Sequence, residues 1–162
     1  MIKVKSNFSF FKGKWDVLAN LGETAEKNVY QDPHTTIMKL RLFAETLTKF
    51  VLAAENIKEA YGTSQVDRIH TLRREGLIEP ELMDIFETLR RKGNQAMHEA
   101  LKFTTEEAKA LLRLAFRLSI WFMEVYGEWD FQAPEYIEPK EQKKVDTEQL
   151  QQEYEEKLKK LE

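Results

Sequence analysis

The sequence predicts an all-α fold: a helical bundle of about five helices with a charged C-terminal helix. Three observations carry that prediction. Apolar residues recur at spacings of three and four along most of the chain, the period of helices that bury one face. Helix start and stop signals punctuate the pattern at regular intervals. Glycine (6) and proline (4) are scarce among 162 residues, which suits long helices better than a many-turned β fold.

Residues 1–14 read as an N-terminal arm, extended or turn-rich. Lys3, Lys5, Lys12 and Lys14 are interleaved there with Phe8, Phe10 and Phe11, whose rings should pack down on the body. The first helix is expected from Trp15 to Tyr30, with Trp15, Leu18, Leu21, Ala25 and Val29 as its stripe. Gly22 inside it costs about 1 kcal/mol relative to Ala.

Asp32-Pro33 is a start signal, an N-cap followed by proline at the first helical position. The second helix should run to about Lys58. Ile37, Leu40, Ala44, Leu47, Val51 and Ala54 form its stripe, which Met38, Phe43 and Phe50 widen. So broad a stripe belongs to a central helix with several neighbours.

Gly62-Thr63-Ser64 breaks and caps, and a shorter helix follows to about Glu75 with Val66, Ile69 and Leu72 inward. Gly76 is its stop. Glu79-Pro80 opens a fourth helix with Leu82, Ile85, Phe86 and Leu89 inside. A capping box, Thr104 with Glu107, opens a fifth that runs to Tyr126 and stops at Gly127. Its load of Leu111, Leu112, Leu114, Ala115, Leu118, Trp121, Phe122 and Val125 calls for burial on more than one side.

Asp130 to Pro139 contains two prolines among alternating aromatics and reads as extended. From Glu138 onward 14 of 25 residues are charged, and Leu150, Tyr154, Leu158 and Leu161 make a narrow stripe. That pattern is a solvated helix or the start of a coiled coil. The divisions are therefore an arm (1–14), a helical bundle (15–137) and a charged helical linker (138–162).

Composition excludes several function classes. With no cysteine there is no disulfide scaffold, thiolate nucleophile or cysteine-based zinc site. The first residues lack the apolar run of a signal peptide and no 18-residue apolar stretch occurs, so a cytoplasmic protein with no membrane partner is expected. Residues 1–137 carry 19 basic and 20 acidic side chains, and 138–162 carry 6 and 8. Neither part is a basic domain, so charge alone predicts no strong sequence-independent phosphate binding.

Searches for a Walker A loop, Gly-x-Ser-x-Gly and His-Glu-x-x-His find nothing. The three histidines, His34, His70 and His98, are too far apart for a two-His helical metal motif. No metal or cofactor is assigned to these residues.

One constellation stands out, Leu89-Arg90-Arg91-Lys92-Gly93-Asn94-Gln95-Ala96-Met97-His98-Glu99. If the helix continues through it, Arg91, Asn94 and His98 fall within roughly 60° of each other. A His beside an Arg can serve acid–base chemistry on a phosphodiester while the Arg holds the phosphate. The plainer reading is a structural polar network, the commoner meaning of such a pattern. Glu87 lies four residues before Arg91 as a surface pair, and Gly93 is costly in mid-helix unless a neighbouring helix needs the space.

Arg90, Arg91 and Lys92 are the candidate nucleic-acid contacts. Arg68, His70, Arg73 and Arg74 read as a solvated face. Trp121, Phe122, Tyr126 and Trp129 read as core rather than a base-stacking platform.

Four stretches carry a resemblance when taken together: Ser6-Asn7-Phe8-Ser9-Phe10-Phe11-Lys12-Gly13, Asp32-Pro33-His34-Thr35-Thr36-Ile37-Met38-Lys39-Leu40-Arg41, the Leu89–Glu99 segment, and Leu112-Arg113-Leu114-Ala115-Phe116-Arg117-Leu118. The set resembles the N-terminal region of the R (restriction and translocation) subunit of type I restriction–modification enzymes, over about residues 6–139. The resemblance implies a non-catalytic module within a site-specific deoxyribonuclease. The parent's nuclease and ATPase domains would lie downstream of the charged linker and use ATP and Mg. The implied partners are the methyltransferase and specificity subunits or other domains of the same R subunit, with DNA met through the whole complex.

The bundle also resembles the HEPN superfamily, whose active members carry an Arg, a spacer of four to six residues, and a His, and many of which cleave RNA without metal as homodimers. Arg91 and His98 fit the loose form of that motif, and Asn94 fits its polar position. The commoner form places an Arg directly before that polar residue, where this chain has Gly93. Three readings follow: an assembly and regulatory module, a HEPN-type ribonuclease, and a nucleic-acid-binding module.

Overall fold

The computed structural model describes residues 5–98, 102–141 and 147–161, and every regular element among them is helical. A 3-10 turn, Ser9–Phe11, precedes α1 (Asp16–Asn28), α2 (Pro33–Ala54), α3 (Gln65–Arg74), α4 (Pro80–Ala96), α5 (Thr105–Tyr126) and α6 (Thr147–Lys160). The predicted all-α bundle with a trailing charged helix is the architecture found.

Helix α2 is the centre. It packs against α1, α3, α4 and α5, and Ile37, Leu40, Phe43, Ala44, Leu47, Val51 and Leu52 are buried along it. Its two buried hydroxyls are satisfied: Thr36 donates to the Ala25 carbonyl (2.7 Å) and Thr48 to the Ala44 carbonyl (2.7 Å). Asp32 caps the helix by accepting from the Thr35 N–H at 3.2 Å. The helix ends at Ala54 rather than near Lys58. Asn56 takes a left-handed φ of 57°, and the Ile57 and Asn56 N–H groups donate back to the Leu52 and Ala53 carbonyls. This is a Schellman stop with Asn in place of Gly. Gly76 closes α3 by the same geometry, as its position predicted. Capping boxes open α3 (Ser64 with Asp67) and α5 (Thr104 with Glu107).

The arm is part of the core. Phe8 and Phe11 are fully buried, and their rings meet Phe43 and Phe122 at 5.4 and 6.0 Å between centroids. Gly22 is mid-helix because Phe8 lies on it; a Cβ there would be 2.4 Å from the ring. The helix-propensity cost of that glycine is offset by the aromatic contact it admits.

Several expectations are corrected. Arg68 does not belong to a solvated face. Its side chain is 10% exposed and spans the α2–α3 turn, with ion pairs to Glu59 and Glu45 and a 3.1 Å bond to the Thr63 carbonyl. Burying that guanidinium is tolerated because several acceptors surround it. Trp129 is 95% exposed rather than core, and Val125 faces solvent at the end of α5. Met38 lies outside the inner stripe of α2 and is 43% exposed.

After Gly127 the chain runs back across the bundle without regular structure. Phe131 meets Phe10 (5.4 Å) and Tyr136 meets Phe116 (5.1 Å). Asn7 and Ile137 exchange two hydrogen bonds, from Asn7 Nδ2 to the Ile137 carbonyl (2.7 Å) and from the Ile137 N–H to Asn7 Oδ1 (2.8 Å). The Tyr30 hydroxyl donates to the Pro139 carbonyl, and Arg113 pairs with Glu138 at 2.6 Å. These contacts make the extended segment a strap over α1 and α5.

Candidate functional site: the end of helix α4 and its surroundings

Helix α4 starts with Pro80 at its first turn and buries Leu82, Ile85, Phe86, Leu89, Gly93 and Ala96. Its last two turns set the geometry of the candidate residues. Gly93 faces α2, where a Cβ would fall 2.4 Å from the Arg41 Cβ. The room Gly93 leaves is therefore filled by the Arg41 stem, and the guanidinium reaches the Met97 sulfur at 2.8 Å.

Glu87 organises the polar side. Arg90 Nη2 donates to Glu87 Oε2 at 2.8 Å, and Arg91 Nε stands 3.9 Å from the same oxygen. The other carboxylate oxygen, Oε1, is buried without a hydrogen-bond partner. Arg90 is thus held close to the helix with its side chain 22% exposed, whereas Arg91 is 65% exposed. Lys92 is half-buried and Asn94 exposed. Arg90, Arg91 and Lys92 follow one another at about 100° per residue, so helical geometry spreads them rather than gathering them.

The register that would align Arg91, Asn94 and His98 ends at Ala96. The Met97 N–H donates to the Asn94 carbonyl (3.2 Å) and the His98 N–H to the Gln95 carbonyl (3.0 Å). These i to i−3 bonds tighten the last turn, and His98 leaves the helix. It is exposed, and among the described residues no hydrogen bond or ion pair joins Arg91, Asn94 and His98. Glu99 lies outside the described residues.

Beside α4 a groove runs along α2. Met38, Leu42 and Met97, exposed at 43, 46 and 58%, give it an apolar floor. Thr35, Lys39, Arg41 and Glu45 complete its lining. Glu45 is engaged by Lys49 and Arg68, but neither Lys39 nor Arg41 has a carboxylate partner among the described residues.

A second cleft lies under the strap, between the arm, the end of α1 and residues 137–141. Glu26 accepts there from the Ser6 hydroxyl and from the Asn7 N–H (3.1 Å) and Nδ2 (2.8 Å). Burial pushes the Glu26 carboxyl above its usual range, although the Ser6 and Asn7 bonds oppose that rise. Burial, with the nearby Glu26 charge, also raises the Tyr136 phenol, whose oxygen is enclosed without a partner. Sequence reading missed this cluster. Its members are up to 130 residues apart, and only the strap's fold-back brings them together.

No three His, Asp or Glu side chains gather as a metal-binding group among the described residues, and no helix there is long and apolar enough to cross a membrane.

Comparison with known proteins gives two matches. Residues 23–161 match the model of DUF4145, a domain of unknown function. The chain is also similar to the type I restriction enzyme EcoKI endonuclease subunit of Escherichia coli (strain K12), at 35% identity over 136 residues. That alignment covers 83% of this chain and 11% of the relative, so the chain spans about a tenth of that subunit's length. No solved structure matches the chain. The likeness to a restriction subunit that four sequence stretches suggested is thus found again across most of the chain, and the model match is broader still: the chain belongs to the DUF4145 family.

Proposed function

We propose that this chain is the non-catalytic assembly and regulatory module of a type I restriction endonuclease R subunit. The observation that carries the reading is the 35% identity to an endonuclease subunit of which the chain spans only 11%. A domain of that share serves a larger machine. Nuclease and ATPase chemistry, with the ATP, Mg and DNA they require, then belongs to other parts. Solvent-facing Arg91 and Asn94 offer polar contacts to the methyltransferase and specificity subunits or to other domains of the same subunit. Exposed side chains at the end of a rigid helix suit recognition, because the scaffold fixes their placement.

The test is co-purification of the 162-residue chain with the methyltransferase and specificity subunits of its own system, together with deletion of residues 5–137 from the full R subunit. Retention of the chain, and loss of assembly or of regulated cleavage on deletion, is the expected result. Normal assembly and regulation after the deletion overturns the reading.

A second reading, a HEPN-type metal-independent ribonuclease, draws on one observation: Arg91 and His98 are both open to solvent within eight residues of chain. Incubation of the chain with RNA in the presence of a chelator decides it. Absence of cleavage, or cleavage unchanged by His98→Ala, removes it.

A further inference from the structure

Helix α6 is 14 residues long, and its described side chains, residues 150–161, are all exposed. A helix of that length is marginal in water without a surface to pack on. Its stripe, Leu150, Tyr154, Leu158 and the adjoining Leu161, is 50, 67, 51 and 84% exposed. At 100° per residue these four fall within about 80° of one another, one narrow seam.

The charges along α6 are divided by position. Residues 148–156 carry four acidic and no basic side chains, and residues 157–160 carry three basic and no acidic ones. Part of that division serves the helix itself: the dipole favours acids toward its start, and Glu153, Glu155 and Glu156 each stand four residues before a lysine. Neither effect covers the seam. Beside it, Glu153, Lys157 and Lys160 lie within about 60° of one another on one flank, and Glu155 and Lys159 about 40° apart on the other. Each flank therefore runs from acid to base.

Such a face is complementary to its own reverse. The midpoint of Leu150 and Leu161 falls between residues 155 and 156, and that of Tyr154 and Leu158 falls on 156. The midpoints of Glu153 with Lys160 and of Glu155 with Lys159 lie within one residue of the same point. A two-fold axis there sets two α6 helices antiparallel, and it keeps like flanks together. Leu150 then meets Leu161 of the second copy, Tyr154 meets Leu158, and both flanks place carboxylates on ammoniums. A parallel pair would set Glu153 against Glu155 and Lys160 against Lys159.

We propose that α6 is a self-pairing element that docks antiparallel on α6 of a second copy of the chain. Flanking charges choose orientation in paired helices while the apolar seam supplies the attraction. Two faces of this length belong among interfaces below ~1,200 Å², so the pairing is weak and depends on concentration. It uses none of Arg91, Asn94 or His98 and is independent of the restriction-subunit reading.

The test uses the full chain, a trace of it carrying a fluorophore on the N-terminal amine, titrated with unlabelled chains and followed by fluorescence-detected sedimentation. One variant exchanges the two charge blocks: Glu153→Lys, Glu155→Lys and Glu156→Lys with Lys157→Glu, Lys159→Glu and Lys160→Glu. Its composition-based net charge is that of the wild type, and it alters only exposed side chains of α6. Labelled wild type is expected to bind wild type, and to bind the exchanged chain at least about tenfold more weakly, because acid then meets acid and base meets base. Labelled exchanged chain is expected to bind itself about as well as wild type does. Tyr154→Ala with Leu158→Ala is expected to weaken self-association at least about tenfold; alanine is the best helix former, so that loss does not come from a weakened helix. A wild type that stays monomeric at every concentration overturns the proposal, as does preference of the wild type for the exchanged chain, which would mean parallel pairing. Equal binding of both chains, an exchanged chain that fails to bind itself, or association unaffected by the alanine pair overturns it as well.

Discussion

Gly93 of α4 and Arg41 of α2 meet so closely that a Cβ on the glycine would lie 2.4 Å from the arginine's Cβ and 2.6 Å from its Cδ. Alanine at 93 gains up to about 1 kcal/mol of helix propensity. It must also push apart two packed helices at a point where the obstructing atom is close to the backbone. Overpacking costs about 1–3 kcal/mol, so Gly93→Ala is expected to lower stability in urea unfolding. The variant should also release the Arg41–Met97 contact. An unchanged or raised midpoint would show that α2 and α4 separate freely.

The arm makes an analogous claim. Gly22→Ala places a methyl 2.4 Å from the Phe8 ring, and Phe8 is fully buried between α1 and α2. A loss of about 1–3 kcal/mol is expected. The double variant Gly22→Ala with Phe8→Leu should lose less than the sum of the single losses, because the smaller side chain removes the clash. Strict additivity in the double-mutant cycle would contradict the contact.

Asn7→Ala removes both bonds to Ile137 and the side-chain bond to Glu26, while the backbone N–H of residue 7 still reaches that carboxylate. A loss of about 1–3 kcal/mol is expected for partners left unsatisfied. The sharper readout is hydrogen exchange: the Ile137 amide should exchange faster while amides in the middle of α2 keep the protection that global stability sets. Equal acceleration at both sites would mean the strap has no independent opening.

Arg68→Lys should fail to replace arginine. Lysine keeps the charge, but a single ammonium cannot reach Glu59, Glu45 and the Thr63 carbonyl from one fork. Glu45 and Glu59 remain about a quarter exposed, so solvent screens them and the loss is expected near 1 kcal/mol. Full retention of stability by the lysine variant in thermal unfolding would count against a directional role.

Glu26 ties stability to pH. Its carboxyl is raised in the folded chain, first by burial and further by Glu23. The folded state therefore holds this proton more tightly than the unfolded state does. The Glu26 contribution is complete below the unfolded value of 4.5 and is lost as pH rises through the folded value. Subtracting the Glu26→Gln titration of stability from that of the wild type should leave a component that falls as pH rises through this window. A component that rises with pH would reverse the assignment.

Much of the fold was legible because its signals are local. Asp32-Pro33, Thr104 with Glu107, and Gly76 each fix a helix end through atoms within a few residues, and each stands where the sequence placed it. Gly93 was legible as a demand for space, though not that Arg41 would fill it. What failed depended on distant partners or on competing local chemistry. Arg68 looked like one cation in a charged run, because its acceptors Glu45 and Glu59 lie on a different helix and a loop. The α2 stop at Asn56 was missed because asparagine signals a left-handed cap less plainly than glycine. At the candidate site, the sequence supplied Arg91, Asn94 and His98 as one helical face. The turn at Met97 withdraws His98 from that face, and nothing in the apolar period marks the event.

The Asn7–Ile137 pair has a mechanical consequence. It stitches the chain's entry into the bundle to its exit, across 130 residues. A pull between these two ends loads the side-chain amide and its carboxylate anchor, Glu26, before any helix is strained. The five helices hang as a closed loop from that stitch. Tension passing along the polypeptide can then cross the bundle's edge through a few polar bonds without unfolding the core.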